Sequence, residues 1–304
     1  MTFQYLVHQD DNATIQKLLE APVYLSTDHV LNKAFPAILL TILVVTTVYL
    51  ASSQLAGNCL LSPARSTGDD EKKTFEEQRR RLAYQITNGV VNTVLGLLGV
   101  YFQYVILPRT NATGVESKIQ GSTEIYLLGS IQIGFQIWSI FMATLWVKEG
   151  AEMLVHHFAA ILASSKGVFL TNGFRWYAPM ALGMTELSSV PLSVMNFFKN
   201  NSAWRERYPL VYLASRLVFS LVFLIVRIGM FVPQHLEYLR YAFLVTYYAR
   251  SMEHVGSEYL LFMSLTWLGA VFLLLLQLYW GHLIVKGLSS FALKSKVLET
   301  KKKT

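Results

Sequence analysis

Seven stretches of the chain are apolar for long enough to cross a bilayer, and they differ in where their polar residues fall. At about 1.5 Å per residue, some twenty residues cover a hydrocarbon core of roughly 30 Å. Runs of that kind occupy 35–56, 86–107, 125–147, 153–170, 176–197, 210–232 and 259–285. The first mixes Leu, Ile, Val and Thr with no strong polar stripe, the pattern of a peripheral helix that faces lipid on most sides. The second is different: at about 100° per residue, Gln85, Asn88, Asn92, Gly96, Gly99 and Gln103 fall within an arc of about 80°. Such a stripe either packs closely against a neighbouring helix or lines a cavity. The third run places Gln132, Gln136 and Ser139 on one face, and the fifth gathers Glu186, Ser189, Ser193 and Asn196. Pro191 stands inside that last arc, where a proline is expected to kink the helix.

The fourth run carries an adjacent pair, His156 and His157, and the sixth carries Arg216 and Arg227, eleven residues apart and nearly in phase. A charge near the bilayer centre costs about 2.5 to 3.5 kcal/mol on insertion scales, so such groups face a protein interior or a wet cavity and mark the working site. Arg216, close to the start of its run, reads as snorkelling to the headgroups. Arg227 is deeper and is expected to point inward, with a carboxylate such as Glu186 as its partner. Neighbouring histidines project about 100° apart on a helix, so one is expected to face the cavity squarely and the other to pack. The segment 233–256 is aromatic and mixed in charge, and reads as a loop lying partly in the interface.

Composition agrees with a membrane domain. The chain is 53% hydrophobic and 15% charged, against about 25% charged in soluble domains. Its net charge of +7 sits in short loops and the C-terminal tail, with no continuous basic face, so nucleic acid is not an expected partner. The single Cys59 excludes an intrachain disulfide or a CxxC site, and no metal or cofactor is expected. Charge also orients the chain. Loops on the side of the C-terminus hold sixteen Lys and Arg and those on the other side eight, so the C-terminus is expected in the cytosol and the N-terminus in the lumen. The sequons at Asn12 and Asn111 then face the lumen and Asn200 does not. The final Lys301-Lys302-Lys303-Thr304 resembles the dilysine signal that coat proteins read on endoplasmic reticulum residents.

The order of several motifs resembles the TLC-domain family over about 78–287. They are His156-His157-Phe158-Ala159-Ala160-Ile161-Leu162, Glu186-Leu187-Ser188-Ser189-Val190-Pro191-Leu192, Phe223-Leu224-Ile225-Val226-Arg227-Ile228, and Trp280 close to Leu283-Ile284-Val285-Lys286-Gly287. The resemblance implies an all-α membrane protein of seven transmembrane helices, six of them bundled around a lipid-accessible cavity. The implied division is a lumenal tail at 1–34, a peripheral helix at 35–56, the six-helix domain at 78–287 and a cytosolic basic tail at 288–304.

Ceramide synthases of that family join a fatty acyl group from acyl-CoA to a sphingoid amine. His156 and His157 resemble the first histidine pair of their signature, but the His-Asp pair that should follow is replaced by Thr185-Glu186-Leu187-Ser188-Ser189. In this the chain looks closer to the TLC-domain-containing and CLN-type branch. Two functions therefore stand side by side. One is a lipid-binding protein of lipid homeostasis or trafficking, with Asn92, Gln136, His156, His157, Glu186, Ser189, Ser193 and Arg227 around a membrane lipid. The other is an acyltransferase that takes acyl-CoA, with His156 or His157 as base or nucleophile. A channel or transporter is a third possibility.

Overall fold

Where the apolar runs lie, the chain is helical, and most helices continue past the runs that seeded them. The computed structural model describes residues 9–20, 24–60, 69–109 and 114–303. The sequon at Asn111 and the loop residue Arg65 lie outside the described residues, as do the side chains of Asn12, Lys72, Lys294, Lys296 and Lys301 to Lys303 and the terminal Thr304. Ten helical elements follow one another: α1 (Gln9–Glu20), α2 (Thr27–Leu60), α3 (69–109), α4 (Val115–Gln120), α5 (126–147), α6 (Ala151–Phe169), α7 (179–200), α8 (Ser202–Arg207), α9 (Pro209–Ala249) and α10 (Ser257–Lys303). Among the described residues the one β-type pairing is an isolated antiparallel bridge between Tyr24 and Leu170. Five helices are long and apolar enough to cross a membrane, namely α2, α3, α5, α9 and α10. The nineteen-residue α6 and the broken α7 run among them.

Contacts close six of these helices into a ring: α3 on α5, α5 on α6, α6 on α10, α10 on α9, α9 on α7 and α7 back on α3. Outside the ring, α2 packs on α3 and α5. Its buried positions, Ile38, Val45, Tyr49 and Ser52, follow a helical spacing, while Leu39, Leu40, Leu43 and Val44 stay exposed. One side of α2 is thus dry against protein and the rest presents apolar surface outward, as for a peripheral membrane helix.

Three prolines explain why the helices run on. Pro36, Pro108 and Pro233 each sit just after a π-helical turn, at Val30–Ala34, Phe102–Ile106 and Phe223–Phe231. A proline ring clashes with the carbonyl four residues earlier and offers no N–H; the wider π turn moves that carbonyl aside. The expected loop at 233–256 is therefore largely helix, with α9 continuing unbroken to Ala249. Its buried positions His235, Tyr238, Tyr241, Ala242, Val245 and Ala249 keep a helical period, which the mixed charge of the segment conceals.

Within the expected N-terminal tail, Gln9–Glu20 forms the helix α1. Ile15, Leu18 and Leu19 of α1 are buried in a cluster with Ile119, Phe174, Tyr238 and Tyr241, so α1 closes one end of the ring. The turn between α6 and α7 is held there by Arg175, whose guanidinium donates to the carbonyls of Gly167 (2.9 Å), Gln120 (3.0 Å), Thr171 (3.0 Å) and Leu170 (2.5 Å). Burial draws this guanidinium down to about 10, still protonated at neutral pH. At the opposite end, Trp204 Nε1 of α8 donates to the Leu60 carbonyl at 3.2 Å and joins α8 to the end of α2.

Candidate functional site

Inside the ring lies a cavity of about 680 Å³. Its wall is built from Asn88 and Asn92 of α3, Gln136 of α5, His156 and His157 of α6, Glu186, Ser189 and Ser193 of α7, Arg227 of α9, and Trp280 of α10. All eight residues that the sequence nominates for lipid contact stand on this wall. The polar stripe of α3 is divided between its two readings: Asn88 and Asn92 line the cavity, whereas Gly96 and Gly99 take the close approach of α7.

That approach creates the site. A Cβ on Gly183 would sit 2.5 Å from the Gly99 Cα, and one on Gly99 would collide with the Met184 backbone. Two glycines let the backbones of α3 and α7 touch, and there α7 loses its α-helical form. It runs as a π turn over Pro179–Gly183, a 3-10 turn over Met184–Ser188, and an α-helix only from Ser189 to Asn200. The break lies before Pro191, not at it. Pro191 occupies the first turn of the α-helical part, where an N–H has no intrahelical acceptor and its loss costs little; the kink expected at Pro191 is thereby corrected. The break presents the side chains of Glu186, Ser188 and Ser189 to the cavity and the Thr185 carbonyl to Arg227, which is tolerated at membrane depth where other groups satisfy them.

Arg227 supplies those groups. Its Nε donates to the Thr185 carbonyl at 3.1 Å and to Ser188 Oγ at 2.6 Å, its Nη1 to Gln277 Oε1 at 3.1 Å, and its Nη2 to Ser189 Oγ at 3.1 Å. Nη2 also stands 3.7 Å from Glu186 Oε2. Glu186 in turn accepts from Ser189 Oγ at 2.8 Å and from Gln132 Nε2 at 3.5 Å. The charge is paired within the protein, as a buried ion pair must be if its desolvation is to be offset.

The histidines play different parts, although both line the cavity. His157 is buried and held from both sides, with Nδ1 against Gln136 Oε1 and Nε2 3.4 Å from Glu149 Oε2. Glu149 comes from the short turn between α5 and α6, after Lys148 in a left-handed conformation at φ 55°. His156 packs its ring on Trp280 at 5.7 Å, and its Nδ1 has no hydrogen-bond partner among the described residues. A clamped ring beside an unclamped one gives the cavity one imidazole fixed in orientation and one able to meet an occupant.

Glu149, Gln277, Phe219 and Phe223 complete the site without having been nominated as site residues. Gln277 is visible in the sequence as a polar residue inside an apolar run. Glu149 reads as an ordinary solvated acid at a helix end, and only the fold carries it to His157. Among the described residues no group of three His, Cys, Asp or Glu could hold a metal ion.

Neither the curated proteins nor the solved structures provide a match to the chain. A family comparison does: the TLC domain model matches residues 81–286, from the start of the cavity-lining part of α3 to the end of the apolar part of α10, and so takes in every residue of the site described above. The chain is a member of the TLC-domain family.

Proposed function

We propose that the cavity binds a membrane lipid and that the protein acts in lipid homeostasis or trafficking within the endoplasmic reticulum membrane. The observation that carries this reading is the contrast between the two parts of the cavity wall. Its floor is a paired network of Arg227, Glu186, Ser188, Ser189 and Gln277, and its flank is apolar, with Phe219, Phe223, Leu283 and Ile284. A polar floor orients a headgroup and an apolar flank accommodates chains. α10 packs against the second half and the π-helical middle of α9 and not chiefly against its first half, which leaves a sideways route for chains between the two helices. The expected orientation, with the basic C-terminal lysines in the cytosol and open to coat proteins, fits an endoplasmic reticulum resident.

A second reading, N-acyl transfer from acyl-CoA to a sphingoid amine, draws on the unclamped ring of His156, which could remove a proton from an amine in the cavity. Against it stands the Glu186 network where the family's enzymes carry a His-Asp pair. One purified preparation separates the two. A solvent extract analysed by mass spectrometry is expected to contain a bound lipid at near-stoichiometric amount. Incubation with a sphingoid base and acyl-CoA is expected to yield no N-acyl product. A product that disappears in His156→Ala at unchanged expression would establish the second reading instead.

A further inference from the structure

α9 turns one face toward the cavity along its length. Phe219, Phe223 and Arg227 line the cavity. At about 100° per residue, Arg216 lies about 20° from Phe223 and about 60° from Phe219 around the helix axis. Arg216 therefore belongs to the inward face, yet it is exposed, whereas Phe223 and Arg227 are buried. The cause is a neighbour that lies elsewhere: beside the first half of α9 the main packing partner is α7, and α10 makes its main contacts further along. On that spacing Arg216 lies about two turns beyond Phe223 on the cavity-lining face of α9, toward the end where Phe219 and Phe223 stand with Leu283 and Ile284 on the cavity wall.

Among the described residues the charge at this end of the cavity is not matched. The Arg216 guanidinium stacks 5.7 Å from the Tyr212 ring and forms no ion pair among the described residues. Tyr212 packs on Phe198 at 6.2 Å, and the next residue, Lys199, is exposed, lines the cavity and is likewise without an ion pair there. Arg227, deeper in, is already opposed by Glu186. Thus the inner cation is neutralised and the two outer ones are free to meet an anion.

We propose that Arg216 and Lys199 form an anion-binding lip at the mouth of the cavity, where the end of α7 meets the first half of α9, selecting lipids whose head carries a phosphate or carboxylate with no compensating positive charge. A guanidinium offers a fork of N–H donors to such a group, and an ammonium adds a point charge. This rests on the reading that the cavity holds a lipid, and it names the class of lipid.

The test uses the full chain in neutral detergent, with native mass spectrometry counting bound phosphatidic acid and phosphatidylcholine of identical chains. Wild type is expected to hold phosphatidic acid about tenfold better, the ratio of one charge-assisted contact. Arg216→Gln and Lys199→Gln each reduce that ratio and together abolish it by weakening phosphatidic acid binding more than phosphatidylcholine binding, while the thermal midpoint stays unchanged, since both side chains are exposed. Arg216→Lys retains part of the preference. Inorganic phosphate in excess is expected not to displace the lipid; displacement would assign the lip to free phosphate and overturn the lipid entrance. Equal binding of the two lipids by wild type, or a preference that survives in the double variant, contradicts the lip while leaving the cavity reading intact. Wild type that holds neither lipid contradicts the cavity reading itself.

Discussion

At Arg227 the chain commits a full charge to the interior, and the cost of removing its partner can be stated. Glu186→Gln leaves the guanidinium with its hydrogen bonds but no counter-charge, and Arg227→Leu strands the carboxylate. Breaking such a pair from one side costs roughly 3 to 5 kcal/mol. Each variant is expected to lower the thermal midpoint markedly, and the double change Glu186→Gln with Arg227→Leu to lose less than the sum of the two; additive losses in this double-mutant cycle would show that the groups do not act as a pair. Lys166 makes the opposite case. It is buried, its Nζ has no hydrogen-bond partner among the described residues, and it lies 4.3 Å from the Tyr238 ring and 5.6 Å from that of Phe174. Ring faces offset only part of the cost of burying an amine. Lys166→Met, which keeps the packed methylenes, is expected to raise stability by about 1 kcal/mol, and a clear loss by calorimetry would give the amine a role that these contacts do not contain.

The partnership of Glu186 with Arg227 was legible in the sequence, because two opposite charges inside apolar runs have few ways to be satisfied other than by each other. Glu149 was not, because nothing local distinguishes an acid that ends a helix in water from one that folds back on a histidine. At the scale of elements the same limit recurs. The helices α5 and α6 follow their apolar runs closely, but a proline in sequence does not disclose whether it begins, interrupts or merely follows a widened turn. Pro191 was misplaced for the first reason and Pro233 for the last.

Element-scale predictions follow from the two places where backbone, not side chain, decides the geometry. Gly183→Ala puts a methyl 2.5 Å from the Gly99 Cα, and overpacking of this kind costs about 1 to 3 kcal/mol or more where backbone must move. The variant is expected to lose stability and to displace the 185–189 turn, so that lipid retention falls with it. Arg175→Lys should also destabilise the turn between α6 and α7. One ammonium cannot replace a planar fork that reaches four carbonyls, and faster amide exchange over 170–178 would report it. Exchange unchanged from wild type would mean that α1 and the bridge at Tyr24 hold the turn without Arg175.

At the scale of the whole molecule, a ring of six helices with a seventh outside it turns scattered polar residues into one surface. The order of spans and the presence of a cavity were legible in the sequence, since each run shows on which side its polar residues lie. Which helices part from one another was not, because the separation of α10 from the first half of α9 depends on packing between segments some sixty residues apart. The account stands on the claim that a lipid occupies the interior of this ring. Photo-crosslinking with a membrane lipid carrying a diazirine in its acyl chain, followed by peptide mapping, tests that claim most directly. Adducts are expected on the inward residues Phe219, Phe223, Leu283 and Ile284, and to diminish in Arg227→Leu, while adducts on the outward Leu40 and Leu43 of α2 stay constant. Adducts confined to the outward faces, with the cavity residues unlabelled, would contradict it.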